Sequence, residues 1–151
     1  MASKVLVSAC LLGQRVRYDG GHARADDPAL QMLLDADRVI PFCPEVAGGL
    51  PTPRPPAEIR EGRVVEETGG DVTDAFDRGA EKALTLCQRH GIRIAVLKQN
   101  SPSCGSAFIY DGTFSGQKIE GQGRTAALLS ANGIRVFGED RLAEALALLE
   151  R

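Results

Sequence analysis

The stretch Lys4-Val5-Leu6-Val7-Ser8-Ala9-Cys10 is a short apolar run that ends at a thiol. A run of this length, rich in valine and leucine and followed by loop-forming residues, predicts a strand over residues 4–9. Two further runs have the same form: residues 38–42 end at Cys43, and residues 92–97 precede a loop that contains Cys104. The run at 92–97 is nearly continuously apolar, as expected of a strand covered on both faces of a parallel sheet.

Helical patterns separate these runs. Asp27-Pro28 is a typical helix start, and residues 71–89 carry apolar side chains at helical spacing before His90-Gly91 ends the pattern. After the third run come a helix over 125–131, a strand over 134–137 and a helix over 140–150. This alternation predicts a single α/β domain spanning residues 1–151, with a Rossmann-like open sheet of about four parallel core strands and helices on both faces.

Three segments do not fit the alternation. Residues 46–56 are crowded with glycine and proline, which predicts an extended wall or flap. Residues 59–65 read as a small hairpin that turns at Glu61-Gly62. A second hairpin is predicted from strands at residues 107–110 and 113–114, joined by Asp111-Gly112. Both hairpins are insertions into the parallel core.

Composition limits the possible partners. The formal net charge is −2, so the sequence offers no basic face on which to hold a long nucleic acid. The first strand begins without a preceding apolar leader, and no apolar run approaches the roughly 18 residues of a membrane helix. We therefore expect a cytoplasmic protein that acts on a small molecule, whose thiols are not structural disulfides. No sequence feature indicates an oligomeric state.

Cys10, Cys43 and Cys104 each follow a predicted strand end. The carboxyl ends of parallel strands meet at one crevice, so three thiols far apart in sequence can become neighbours there. Three thiols can hold a metal centre and leave one coordination position open. The alternative is that they are ordinary buried thiols, and spacing alone does not decide between the two. Cys87, on the apolar face of the long predicted helix, is expected to be a core residue.

Two other features bring polar chemistry to the same strand ends. Glu45 lies two residues after Cys43, where a carboxylate can act as a general base, although a glutamate in a loop is more often simply solvated. Residues 100–105 gather two serines, an asparagine and Cys104 in one loop. Loops on a rigid scaffold often carry function, but a plain turn has a similar composition.

Four motifs together resemble those of a known family: Val7-Ser8-Ala9-Cys10-Leu11-Leu12-Gly13, Arg17-Tyr18-Asp19-Gly20, Cys43-Pro44-Glu45 and Lys98-Gln99-Asn100-Ser101-Pro102-Ser103-Cys104-Gly105. The family is that of the iron–sulfur-dependent thiouracil desulfidases, and the resemblance covers essentially the whole chain. It implies a 4Fe-4S cluster held by Cys10, Cys43 and Cys104, with one iron that lacks a protein ligand. It also implies that Glu45 and Ser101 are the catalytic residues.

The resemblance implies a reaction as well. The expected activity is the non-redox, hydrolytic desulfuration of 4-thiouracil, or a similar free base or nucleoside, to the oxo form with release of sulfide. The small thiolated pyrimidine is thus the expected partner. Two alternatives stay open: an iron–sulfur protein that serves electron transfer or binding, and a zinc hydrolase with three cysteine ligands.

Overall fold

The computed structural model describes residues 3–149. In chain order its elements are β1 (Val5–Ser8), α1 (Pro28–Asp35), β2 (Val39–Phe42), α2 (Pro44–Ala47), β3 (Ala57–Arg60), β4 (Arg63–Glu66), α3 (Thr73–His90), β5 (Ile94–Leu97), β6 (Phe108–Tyr110), β7 (Lys118–Glu120), α4 (Arg124–Ala131), β8 (Arg135–Gly138) and α5 (Leu142–Leu149). None of the helices described is both long and apolar enough to cross a membrane. The predicted final residue of the last helix, Glu150, lies outside the described residues.

The central sheet has four parallel strands in the order β2-β1-β5-β8. Val5 of β1 pairs with Val39 on one side and with Ile94 on the other. Strands β1 and β5 are buried along their whole length, which explains why they read as unbroken apolar runs. The predicted α/β fold with a parallel core sheet is confirmed.

Each face of this sheet has its own core because side chains of a strand alternate between faces. On one face Val5, Val7 and Val96 pack with residues of α1 and α5. On the other face Leu6 packs with residues of α3 and α4, among them Cys87, which is fully buried. The prediction that Cys87 is a core residue is confirmed.

The segment 46–56, predicted to be an extended wall or flap, begins with the end of a short helix. Val46 and Ala47 belong to the short helix α2, so the prediction is wrong at these two residues. Pro44 stands at the first position of this helix, where its fixed φ favours helix formation and its missing N–H is not needed. The residues from 49 to 56 are irregular, as predicted.

The two hairpins are present. Strands β3 and β4 pair in antiparallel fashion around a turn at Glu61 and Gly62, as predicted. The second hairpin pairs β6 with β7, so the prediction of a strand at residues 113–114 is wrong. The carboxylate of Asp111 accepts the backbone N–H and the hydroxyl of Thr113, and this local hydrogen bonding turns the chain out of the strand. The return strand therefore starts only at Lys118.

Candidate active site

One cavity of about 390 Å³ opens where strands β1, β2 and β5 end. Cys10, in the single 3-10 turn after β1, lines it together with Cys43, the residue directly after β2, and Cys104, in the loop after β5. Glu45 and Ser101 line the same cavity. The structure thus brings together every residue that the sequence indicated as a site residue. The volume is that of a pocket for a small molecule.

The three thiols are held in their protonated form by their surroundings. Burial, together with the neighbouring Cys43, raises the pKa of Cys10 to about 11. Burial raises the pKa of Cys104 to about 12, although hydrogen bonds from Ser103 and Ser8 favour its thiolate. The pKa of Cys43 is also raised by burial, which the backbone N–H groups of Val46 and Glu45 partly offset. Thiolates here need a compensating cation, which a bound metal supplies.

The chemistry of the donor atoms bears on the kind of metal group that the cavity fits. Across residues 3–149, no group of three or more His, Cys, Asp or Glu side chains is arranged to hold a metal ion. Cys10, Cys43 and Cys104 nevertheless line one cavity. A four-iron cluster is larger than one ion and takes its thiolates at separate corners, whereas tetrahedral zinc draws its ligands to one point. Three thiols that line one cavity are a donor set whose chemistry fits a four-iron cluster, because the irons of such a cluster take thiolate ligands.

Glu45 is held at the cavity by hydrogen bonds to both of its carboxylate oxygens. Arg54 Nε donates to Oε1 at 3.1 Å. Ser103 Oγ donates to Oε2 at 3.0 Å, and Ser101 Oγ reaches the same oxygen at 3.5 Å. A fixed carboxylate next to two hydroxyl groups is an arrangement that can accept and return protons.

Ser101 orders the loop that carries Cys104. Its Oγ accepts the backbone N–H of Ser103 and that of Cys104, each at 3.1 Å. It also shares a hydrogen bond of 2.9 Å with Ser103 Oγ. The two N–H groups can stabilise negative charge on Ser101 Oγ, in the manner of an oxyanion site. Ser101, Ser103 and Glu45 thus form a short hydrogen-bonded chain.

Comparison with known proteins identifies the family. The sequence model of a family described as 2-thiouracil desulfurase matches residues 5–141. The chain belongs to the 2-thiouracil desulfurase family. A protein of Bacillus subtilis (strain 168), "Uncharacterized protein YbbK", is 44% identical over 152 residues, which cover 94% of this chain and 99% of that protein. A solved structure, the 4Fe-4S-dependent thiouracil desulfidase TudS, is 56% identical, covers 98% of each chain and superposes with a TM-score of 0.96.

In this member of the 2-thiouracil desulfurase family, sequence reasoning missed Arg54. Its side chain is 4% exposed and also donates to the carbonyl oxygens of Val16 and Pro51 and to Thr52 Oγ1. The residue ties Glu45 to two loops of the cavity wall. In the sequence Arg54 stands between two prolines, a pattern that by itself indicates an exposed loop rather than a buried ion pair.

Sequence reasoning also missed two glycines that allow close backbone contacts near the site. A Cβ on Gly79 of α3 would lie 1.9 Å from the carbonyl oxygen of Pro44, so the direct packing of helix α2 on α3 requires glycine at this position. A Cβ on Gly123 would lie 2.5 Å from the carbonyl carbon of Ser103. These two contacts fix the segments that carry Cys43 and Cys104. A glycine inside a helix, or next to one, has no sequence signal that identifies its neighbour.

Lys98 completes the polar wall on the side of Cys10. Its Nζ lies 2.9 Å from Glu139 Oε2, while Glu139 Oε1 accepts the N–H of Gln99 at 2.7 Å. The positive charge of Lys98 favours the thiolate of Cys10 and opposes the effect of burial on its pKa.

Proposed function

We propose that this protein is a 4Fe-4S-dependent thiouracil desulfidase that converts a thiolated pyrimidine, such as 4-thiouracil, to its oxo form with release of sulfide. The observation that carries the proposal is the meeting of Cys10, Cys43 and Cys104 around one cavity that also contains Glu45. The 56% identity to the desulfidase TudS supports it. The reaction needs no electron donor or acceptor, since water replaces sulfide at the same carbon.

Cys10, Cys43 and Cys104 would hold the cluster as thiolates. A cluster held by three thiolates would keep one iron without a protein ligand, and it would supply a Lewis acid towards the thione sulfur. Lys98 lies on the side of Cys10 and adds positive charge to a site that becomes negative when the three thiols are deprotonated.

The protein's own groups handle the protons. Ser101 Oγ takes a proton from the attacking water while its own proton passes to Ser103 Oγ and on to Glu45 Oε2, along hydrogen bonds of 2.9 Å and 3.0 Å. The backbone N–H groups of Ser103 and Cys104 stabilise the charge that develops on Ser101 Oγ. Glu45 returns this proton to the departing sulfide. The proton of the added hydroxyl group follows it to the sulfide as the carbonyl group forms, so that one thione and one water give one carbonyl group and hydrogen sulfide.

The dimensions and charge of the site suit a free base or nucleoside. The cavity holds about 390 Å³, and its lining includes the aromatic residues Tyr18, Tyr110 and Phe114. With a net charge of −2, the chain does not favour a long nucleic acid as substrate. The proposal also places the enzyme in the cytoplasm, where thiols that bind iron stay reduced.

The test is a set of cysteine variants prepared without oxygen and reconstituted with iron and sulfide. The wild-type protein should contain iron and acid-labile sulfide and should release uracil and sulfide from 4-thiouracil. Alanine at Cys10, Cys43 or Cys104 should remove both the cluster absorption and the activity. Cys87→Ala is the matched control, because Cys87 lies in the core away from the cavity, and it should keep both.

Three results would overturn the proposal. Zinc without iron or labile sulfide in the purified protein would make it a zinc hydrolase. Loss of the cluster in Cys87→Ala would give the cluster a fourth ligand and would favour electron transfer. A normal cluster without desulfuration of any thiolated pyrimidine would separate the cofactor from the activity.

A further inference from the structure

Phe114 has a backbone conformation that its side chain disfavours. Its φ is +57°, in the left-handed region that glycine adopts without steric strain and bulky residues rarely adopt. Gly112 and Gly116, on either side of it, also have positive φ values of 92° and 82°. A bulky residue persists in such a conformation only where its surroundings fix it, and such positions cluster at ligand sites.

Strand β3 supplies the groups that fix this loop. The carboxylate of Glu58, which is 9% exposed, accepts the backbone N–H of Gly112 at 2.9 Å and that of Phe114 at 3.2 Å. Arg60 Nε donates to the carbonyl oxygen of Gly112 at 2.9 Å. A Cβ on Gly112 would lie 2.7 Å from the carbonyl oxygen of Ile59, so the loop and the strand are in direct backbone contact. The two hairpins are thereby joined at the edge of the cavity.

The result of this fixation is the placement of the Phe114 ring. Phe114 lines the same cavity as the three thiols, and the residue is half-buried. The guanidinium carbon of Arg60 lies 5.9 Å from the ring centroid, within the range of a cation–π contact. The ring is therefore oriented by both its backbone and its side-chain neighbour.

We propose that Phe114 is the aromatic wall against which the pyrimidine ring of the substrate stacks, and that Glu58 is a positioning residue that sets the place of this wall. The inference rests on the proposed function, because a planar heterocycle is the ligand it assumes. Planar bases stack favourably on aromatic side chains whatever their ring substituents. Stacking would thus favour planar pyrimidines as a class, and polar groups of the cavity would distinguish among their ring substituents.

The test measures binding of uracil and of 5,6-dihydrouracil to the cluster-loaded protein by titration calorimetry. The two ligands carry the same polar groups, but the ring of dihydrouracil is puckered and stacks poorly. The wild-type protein should prefer uracil. Phe114→Gly removes the ring and suits the positive φ, so the variant should fold at least as well as the wild type. It should bind uracil about 10- to 100-fold more weakly and lose most of the preference.

Matched variants separate stacking from general damage. Phe114→Trp keeps an aromatic face and should retain the preference. Phe108→Ala alters an exposed phenylalanine of the same hairpin that does not line the cavity, and it should behave like the wild type. Phe114→Gly should raise the KM for 4-thiouracil and leave the cluster absorption unchanged. Wild-type uracil binding in Phe114→Gly, or loss of the preference on replacement of Tyr110 by leucine instead, would overturn the assignment.

Glu58 is tested by a pair of substitutions. Glu58→Gln keeps an oxygen that can accept the two N–H groups of the loop, and it should preserve the preference for uracil over dihydrouracil. Glu58→Ala removes the acceptor and should reduce that preference without loss of cluster absorption. Equal behaviour of the two variants would overturn the positioning role. A wild-type protein that prefers uracil yet desulfurates no thiolated pyrimidine would contradict the proposed function and leave the stacking assignment standing.

Discussion

Arg54 Nε lies 3.1 Å from Glu45 Oε1, and the two side chains are 4% and 16% exposed. A buried ion pair is favourable only when its remaining hydrogen-bonding groups are also satisfied. Arg54 meets this condition, since its other donors reach the carbonyl oxygens of Val16 and Pro51. The pair therefore fixes the carboxylate that accepts hydrogen bonds from Ser101 and Ser103.

Replacing Arg54 by methionine should destabilise the fold and reduce turnover. The substitution leaves Glu45 buried without its cation, for which losses of about 3–5 kcal/mol are typical. Arg54→Lys keeps the charge but loses the planar guanidinium that reaches several acceptors at once, so it should rescue only part of the effect. Chemical denaturation and desulfuration rates measure the two consequences.

The control for Arg54 is Arg63, whose ion pair with Asp71 is at the surface, with the arginine side chain 56% exposed. Arg63→Met should change stability little, because exposed ion pairs contribute little. If Arg54→Met were as mild as Arg63→Met in both stability and turnover, the buried pair would have no part in holding Glu45.

Gly79→Ala should destabilise the protein even though alanine is the better helix former. The gain in helix propensity is about 1 kcal/mol. Against it, the new Cβ would lie 1.9 Å from the carbonyl oxygen of Pro44 and would push helix α2 away from α3. Overpacking of this kind costs about 1–3 kcal/mol. Because Cys43 directly precedes α2, the cluster content after reconstitution should fall as well.

Thermal unfolding and iron content per protein measure this effect. Glu81→Ala, on the exposed side of the same helix, is the control and should leave both unchanged. A Gly79→Ala protein with a higher melting temperature and a full cluster would show that α2 can shift without consequence for the site.

Site residues that lie next to a recognisable strand could be predicted from the sequence. Strands β1 and β5 are buried on both faces, so their apolar runs stand out, and the thiols that follow them could be placed at one sheet edge. The position of Glu45 followed from Cys43, two residues earlier. Local sequence thus sufficed wherever a residue is positioned by the strand next to it.

Residues positioned by distant parts of the chain could not be predicted in this way. The side chain of Arg54 donates to the carbonyl oxygen of Val16, which is 38 residues away in the sequence. The carboxylate of Glu58 accepts the backbone N–H of Gly112, which is 54 residues away. Asp111-Gly112 has the composition of a tight turn and so predicts a strand at residues 113–114. Instead, the hydrogen bonds of Asp111 with Thr113 and those of Glu58 with the backbone hold this segment in a longer loop. Such contacts depend on the assembled fold and leave no periodicity in the sequence.

Alkylation of the site thiols in iron-free protein should be slow near neutral pH and should accelerate as pH rises. The thiolate is the reactive form, and the pKa of Cys10 is raised to about 11, so only about one thiol in a thousand is ionised at pH 8. Between pH 8 and pH 10 the rate at Cys10 should rise about tenfold per pH unit. Cys104, with a pKa of about 12, should lag behind Cys10.

Peptide mapping by mass spectrometry after timed iodoacetamide treatment follows each thiol separately. The same protein in denaturant supplies the reference, because unfolding restores ordinary thiol pKa values and should make all four cysteines react at similar rates. Reaction of Cys10 in the folded protein at the denatured rate at pH 8 would contradict a raised pKa.

Ser101 and Ser103 should differ in what their alanine variants lose. Ser103→Ala interrupts the hydrogen-bonded chain to Glu45, so turnover per cluster should fall by about 10²-fold or more while cluster content stays normal. Ser101→Ala also leaves the backbone N–H groups of Ser103 and Cys104 without their acceptor, which loosens the loop that carries Cys104. This variant should therefore lose cluster content as well as turnover.

Iron and labile sulfide per protein, measured beside the desulfuration rate, separate the two effects. Ser106→Ala is the control, since Ser106 belongs to the same loop but its hydroxyl contacts Gln99 rather than Glu45. Ser101→Thr keeps a hydroxyl group and should restore cluster content, because threonine Oγ1 can accept the same two N–H groups. Near-wild-type turnover per cluster in Ser103→Ala would remove Ser103 from the proton path and leave direct transfer from Ser101 to Glu45, across 3.5 Å, as the remaining route.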